Sequence, residues 1–156
     1  MIISFAVEGH EQRRLGFLET LAQVAPNIKV VGQVETLDKA DVAYSQAKDF
    51  MSANPDLSAF YVCAGGAFGV GKAIEDSGKA GVVKLINYDF IDETMEQVAK
   101  GICTGTIGQG PFAQGHDPAI RLYNYLVGGV VPPAGRLLTK AEFVTKETVN
   151  KYWTKK

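Results

Sequence analysis

The sequence lacks the features that mark several common classes of protein. Its 156 residues contain no apolar run of the about 18 residues that a membrane span needs. Its start, MIISFAVEGHEQRR, has no basic segment followed by a long apolar run, so it does not resemble a signal peptide. Lys and Arg (16) nearly balance Asp and Glu (17), giving a net charge of -1. A broad basic surface for nucleic acids is therefore not expected.

Cysteine and histidine are scarce, and this limits the chemistry that the chain can support. Cys63 and Cys103 form no close metal-binding or redox pair, and we expect both to be buried thiols. Cys63 could pair with His10 as a nucleophile, because both follow predicted strands. A polar loop residue is the more common role for such a histidine. No metal or cofactor site is predicted.

The chain is rich in short apolar segments that alternate with segments of helical periodicity. Hydrophobic residues make up 46% and charged residues 21%, as in a single packed domain. The predicted strands are 2–6, 28–34, 59–62, 82–88 and 104–107. The predicted helices are 12–24, 37–51, 67–76, 92–100 and 118–127. The tail, 137–153, is predicted to form a short strand and a short helix. This alternation predicts an α/β three-layer sandwich with a five-stranded parallel sheet, flavodoxin-like, in the order 2-1-3-4-5.

The glycine-rich segment 61–74, YVCAGGAFGVGKAI, runs from a predicted strand into a predicted helix. It matches neither the Walker A spacing nor G-x-G-x-x-G, so nucleotide binding is weakly supported. One alternative is a tight strand-to-helix turn in which Gly69 lets the helix pack closely. Another is that the small residues leave room for a ligand and offer backbone N–H donors.

Three polar side chains follow predicted strands and are expected at the carboxyl edge of the sheet, where such folds bind ligands. Arg13 carries donors in a fixed geometry, Asp89 can accept from two vicinal hydroxyls, and Gln109 can both donate and accept. The alternatives are a surface ion pair for Arg13, for which Arg14 is better placed, and a helix cap for Asp89, a role that Asp92 could fill. A carboxylate such as that of Asp89 suits a sugar, and the set of three at one edge is more informative than any one of them alone.

Several segments, in this order, resemble the second lobe of type I periplasmic binding proteins and LacI-type regulators. They are EGHEQRRLGF, which matches H-x-x-R-x-x-G-F, then NPDLSAFYVCAGGAFGVGKAIEDSG, VVKLINYDFIDETMEQVAKGICTGTIGQGPFAQG and TKETVNKYW. The resemblance covers nearly the whole chain. It implies a periplasmic-binding-protein-like I lobe, residues 1–156, that binds a small sugar or polyol and is not an enzyme.

The resemblance also implies which residues contact the ligand. The candidate ligand-binding residues are Arg13, Asp89, Gln109, His10, Ala64, Gly65 and Phe90. Many family members carry an Asn-Asp pair after the third strand, where this chain has Ala64-Gly65-Gly66. The polar contact made by that pair is therefore not expected here.

Family members have two lobes, so we expect this chain to be one lobe whose partner lobe is absent from the sequence. The AGG loop and the histidine near the start favour the cytoplasmic sensor of a LacI-type regulator, which would reach DNA through an absent headpiece. The alternatives are a lobe of a periplasmic or cell-surface sugar-binding protein that serves an ABC permease, a flavodoxin-like enzyme, and an interaction module that forms a homodimer. Residues 118–127 are predicted to fold back onto their own sheet or to swap with a neighbouring molecule.

Overall fold

The computed structural model describes residues 7–63, 65–135 and 137–154. In this part of the chain, helices and strands alternate through most of the sequence. The elements are α1 (Glu8–Val24), α2 (Ala40–Ala53), β1 (Ala59–Tyr61), α3 (Ala67–Asp76), β2 (Lys84–Tyr88), α4 (Asp92–Lys100), β3 (Gly105–Gly108), α5 (Pro111–Gly128), β4 (Glu142–Val144) and a 3₁₀ helix (Val149–Lys151).

The described strands form one sheet in the order β1-β2-β3-β4. The strands β1, β2 and β3 are parallel neighbours, which confirms the α/β class and the adjacency of the predicted third, fourth and fifth strands. The short strand predicted within 137–153 joins this sheet as β4 and pairs antiparallel to β3, so the described sheet is mixed rather than wholly parallel. After β3 the chain leaves through α5 and returns to the same end of the sheet, where Glu142 pairs with Gly108, so β4 has to run the opposite way.

Within the described residues, β1, β2 and β3 follow the predicted order 3-4-5, and the places of the predicted first and second strands stay a prediction. Residues 2–6, the predicted first strand, lie outside the described residues. Residues 28–34, the predicted second strand, are not assigned to a strand in the described part of the chain, and Glu35 directly after them forms an isolated bridge. In the predicted order, the neighbour of residues 28–34 is the segment 2–6.

The core lies between the sheet and α2, α3 and α4. Leu85 of β2, Ile74 of α3 and Met95 of α4 are fully buried within it. Burying a side chain of this size contributes about 1.5–3 kcal/mol. Helix α3 packs so closely on the start of α2 that a Cβ at Gly69 would overlap the carbonyl of Ala40. This core holds the loops at the carboxyl ends of β1 and β2 in place.

Helix α5 behaves differently from the helices of the core. None of its described residues is buried, and Leu126 and Val127 are 71% and 69% exposed. The prediction that residues 118–127 fold back onto their own sheet is therefore wrong; the alternative of a swap stays a prediction. Gly110, at a φ of 66°, and Pro111 in the first turn start α5 away from the sheet. No described helix is long and apolar enough to cross a membrane.

Candidate functional site

Three of the candidate side chains form one hydrogen-bonded chain at the carboxyl edge of the sheet. Arg13 of α1 donates through Nη2 to Oε1 of Gln109, which follows β3. Gln109 in turn donates through Nε2 to Oδ1 of Asp89, which follows β2. The structure thus brings together the three residues that the sequence places after separate strands. Their contact with a ligand stays a prediction.

Arg13 is held by two further contacts. Its Nη1 donates to the carbonyl oxygen of Cys63 at 2.5 Å. Its guanidinium carbon lies 4.0 Å from the centroid of the Tyr88 ring, a cation–π arrangement. A guanidinium stays charged in proteins, so the chain Arg13–Gln109–Asp89 carries a fixed positive charge at one end.

The sequence analysis missed Tyr88 and the aromatic side chains behind it. The hydroxyls of Tyr88 and Tyr61 are 2.7 Å apart, and the ring of Tyr61 stacks on that of Phe17 with centroids separated by 4.2 Å. Burial raises the pKa of Tyr61, which keeps its hydroxyl neutral and able to donate. Both tyrosines are the last residues of their strands. An aromatic residue in that position is equally typical of an ordinary core, so no sequence signal marked the two tyrosines as part of a site.

Asp89 adopts a backbone conformation that turns it out of its strand. Its φ of 74° lies in the left-handed region, which Asp tolerates better than most residues. Its N–H donates to Ile107 and its carbonyl accepts from the Thr106 hydroxyl, both at 2.9 Å. Helix α4 is capped at Ile91 without a side-chain bond, so Asp89 does not cap it.

Neighbouring charged residues take the roles that were alternatives for Arg13 and Asp89. Arg14, rather than Arg13, makes the local ion pair, with Glu11 at 2.5 Å. Asp92 lies in the first turn of α4 and accepts a hydrogen bond from the Trp153 indole at 2.7 Å. Arg13 therefore does not make the local ion pair, and Asp89 does not cap α4.

The glycine-rich loop is explained by close packing. Gly69 admits the backbone of Ala40, as the tight-turn alternative predicts, and Gly66 has a φ of 73°. The N–H of Gly65 donates to the carboxylate of Asp38 at 3.1 Å, another contact that the sequence analysis missed. Ala64 lies outside the described residues. One backbone N–H donor of the loop is thus bound to a protein carboxylate.

The structure does not join His10 and Phe90 to the hydrogen-bonded chain through any contact between described residues. His10 lies in the first turn of α1, and its buried Nδ1 has no hydrogen-bond partner within the described part of the chain. Phe90 packs against the core, with its ring 5.5 Å from that of Tyr152. A role for either residue in ligand binding stays a prediction.

Both cysteines are buried, as predicted, and each is 1% exposed. Burial raises the pKa of the Cys63 thiol and raises that of Cys103 to about 12. A nucleophilic cysteine needs a lowered pKa, so the pairing of Cys63 with His10 as a nucleophile is not supported. The backbone carbonyl of Cys63, rather than its sulfur, belongs to the site. The described residues include no group of side chains that could hold a metal ion.

The chain matches the family model described as "Periplasmic binding protein domain" over residues 4–129. It is similar to the D-allose-binding periplasmic protein of Escherichia coli, with 32% identity over 65% of this chain and 32% of that protein. It is also similar to the xylose/arabinose-binding protein XylF of Sulfolobus acidocaldarius, with 26% identity over 69% of this chain and 28% of that protein. The matched segments therefore cover about a third of the length of these relatives.

Among solved structures, the chain is similar to an ABC transporter periplasmic solute binding protein from Actinobacillus succinogenes with bound D-allose. The TM-score is 0.86 and the identity 26%, over 97% of this chain and 53% of that one. All three relatives are named as binding proteins, in agreement with the prediction of a non-enzyme. They support the alternative prediction of a transporter component better than that of a LacI-type regulator, and they give no support to DNA binding or to a homodimer. With most of its length matched by the family model, the chain belongs to the family of periplasmic binding protein domains.

Proposed function

We propose that this chain is one lobe of a sugar-binding protein of an ABC transporter and that it binds an aldose without chemical change. The observation that carries the proposal is the chain Arg13–Gln109–Asp89 at the carboxyl edge of the sheet. Two relatives are named for D-allose and a third for xylose and arabinose, so aldoses of five and six carbons are the first candidates.

The unused bonding capacity of the site suits vicinal hydroxyls. Arg13 has five N–H groups, and the described hydrogen bonds to Cys63 and Gln109 leave the others for a ligand. Within the described residues, Asp89 accepts through Oδ1 alone, so Oδ2 remains for a hydroxyl donor. Each hydroxyl can both donate and accept, which matches a site with donors at one end and an acceptor at the other. The opposite charges of Arg13 and Asp89 favour a neutral ligand over an anion.

The exposed surface of α5 supports the proposal of a second lobe. Apolar side chains remain at the surface along α5 and in the segment that follows it, including Leu126, Val127, Val131 and Leu138. Contiguous apolar surface of this kind marks an interaction site in a folded protein. We assign this surface to the partner lobe, which would supply the other half of the sugar contacts. We extend the proposal to a periplasmic or cell-surface location and to an ABC permease as partner.

Isothermal titration of the full-length protein against D-allose, D-xylose, L-arabinose and myo-inositol tests the proposal. Asp89→Asn keeps the size of the side chain but loses the charge of the acceptor. Hydrogen bonds to charged groups contribute about 1.5–3 kcal/mol, so we expect affinity to fall by about 10- to 150-fold.

Glu93→Gln is the matched control, because Glu93 lies in the first turn of α4 outside the hydrogen-bonded chain. We expect this variant to bind as the wild type does. Equal affinities of Asp89→Asn and Glu93→Gln would contradict the assignment of the site. Absence of binding to every sugar by the folded wild type would contradict the proposed function itself.

A further inference from the structure

The turn before α2 holds two consecutive non-glycine residues in the left-handed region. Leu37 has a φ of 50° and Asp38 a φ of 59°. Neither residue has the conformational freedom of glycine, so this backbone is costly unless surrounding contacts enforce it. Such strain is concentrated at functional sites in folded proteins, so the contacts that this turn makes are candidates for a functional role.

The turn places the Asp38 carboxylate against the glycine-rich loop. Oδ1 of Asp38 accepts from the N–H of Gly65 at 3.1 Å, and a Cβ at Gly65 would lie only 2.6 Å from the same oxygen. A Cβ at Gly66 would lie 3.2 Å from the carbonyl oxygen of Lys39. Both glycines therefore face the turn, and a side chain at Gly65 would displace the carboxylate.

The segment that Asp38 holds is the one that anchors Arg13. Cys63 accepts the Arg13 guanidinium through its carbonyl, and Gly65, only two residues further on, donates to Asp38. The two contacts lie two positions apart in the sequence, so the Asp38 carboxylate binds the chain close to the carbonyl that holds Arg13.

We propose that Asp38 is a positioning residue of the ligand site. Its carboxylate holds Gly65, and through Gly65 it keeps the Cys63 carbonyl where that carbonyl holds Arg13 in the orientation that binds the sugar. This inference deepens the proposed function and rests on it.

Three variants separate the side chain of Asp38 from its backbone. Asp38→Asn retains an acceptor oxygen and tolerates the left-handed conformation. Asp38→Gly relieves the backbone strain but removes the acceptor. Asp41→Ala, in the exposed first turn of α2, is the matched control for the loss of a nearby carboxylate.

We expect Asp38→Gly to weaken sugar binding by about tenfold, the value of one net hydrogen bond, without a lower melting temperature. Asp38→Asn and Asp41→Ala should bind as the wild type does. In an Arg13→Lys background, Asp38→Gly should cause no further loss, because Asp38 acts through Arg13. Wild-type affinity of Asp38→Gly, or losses that add in the double variant, would overturn the proposal.

A measurement without sugar distinguishes failure of this inference from failure of the proposed function. In ¹H–¹⁵N spectra, Asp38→Gly should shift the Gly65 amide and the Arg13 Nε–H resonances and speed hydrogen exchange at Gly65. Asp38→Asn should leave the exchange rate nearly unchanged. If the Arg13 resonance is the same in Asp38→Gly and wild type, Asp38 does not position Arg13, whether or not any sugar binds.

Discussion

Replacing the ring beneath Arg13 should weaken sugar binding in a graded way. The guanidinium carbon lies 4.0 Å from the centroid of Tyr88, whose hydroxyl lies 2.7 Å from that of Tyr61. Tyr88→Leu removes both contacts, whereas Tyr88→Phe keeps the ring and removes only the hydroxyl. The pair of variants therefore separates the cation–π contact from the hydrogen bond.

The magnitude follows from the strength of the contact that is lost. Cation–π contacts contribute about 0.5–2 kcal/mol depending on their exposure. Because the ring orders Arg13 before the sugar binds, Tyr88→Leu leaves that ordering to be supplied on binding, which corresponds to a loss of affinity of about 2- to 30-fold. Because Tyr88 and Arg13 are both partly buried, we expect Tyr88→Leu to fall in the upper half of that range. Tyr88→Phe should lose no more than about threefold, since the ring that supports the guanidinium is unchanged.

Isothermal titration of the full-length protein measures these affinities, with circular dichroism as the check that each variant is folded. Tyr44→Leu is the matched control, because Tyr44 donates to Asp76 on the far side of the core helices and has no described contact with Arg13. The reasoning is refuted if folded Tyr88→Leu binds as tightly as wild type. It is also refuted if Tyr88→Phe is as weak as Tyr88→Leu, because the hydroxyl and not the ring would then be the important group.

Three further predictions concern stability and packing. Gly69→Ala should lower the free energy of unfolding by about 1–3 kcal/mol in urea, because its Cβ would overlap the Ala40 carbonyl, whereas Gly16→Ala on open α1 should not be destabilising. Above pH 9 the Cys103 thiol ionises in the unfolded chain but keeps its proton in the folded chain up to about pH 12. The free energy of unfolding should therefore fall with rising pH, by about 1.4 kcal/mol per pH unit more in wild type than in Cys103→Ala. Equal slopes in the two proteins would refute this. Leu126→Lys should change the free energy of unfolding of this chain by less than about 0.5 kcal/mol, because Leu126 is 71% exposed. In a two-lobe protein the same substitution should be destabilising. An equal effect in both proteins would contradict the assignment of α5 to a lobe interface.

The parts of the fold that could be predicted are those fixed by local pattern. The strands β1, β2 and β3 are apolar runs separated by helical segments, and such connections leave only parallel neighbours. The direction of β4 could not be predicted in this way, because it depends on the path of the chain through α5. That path is set by the backbone at Gly110 and Pro111, and it decides whether α5 returns to the sheet or leaves it.

The same distinction applies to the site. Arg13, Asp89 and Gln109 were predictable because each is a polar residue that follows a predicted strand, and the topology of the sheet brings such residues to one edge. Tyr61 and Tyr88 were not, because an aromatic residue at the end of a strand is typical of an ordinary core. Asp38 was not predictable either, because its contact with Gly65 joins residues 27 positions apart in the sequence. The contact also needs two residues in the left-handed region, which no sequence pattern predicts here.

The contacts around Arg13 have a consequence for the energetics of the proposed binding. A free arginine side chain carries about 2 kcal/mol of rotamer entropy, and ordering it on binding would cost much of that. Here Cys63, Gln109 and Tyr88 already hold the guanidinium in the absence of a sugar. In the proposed binding mode, Arg13 is therefore preorganised, and the entropic cost of binding is left to the sugar and to closure of the proposed partner lobe. Since the contacts on Arg13 come from three separate loops or strands, we expect any change that loosens one of them to reduce affinity without touching the ligand.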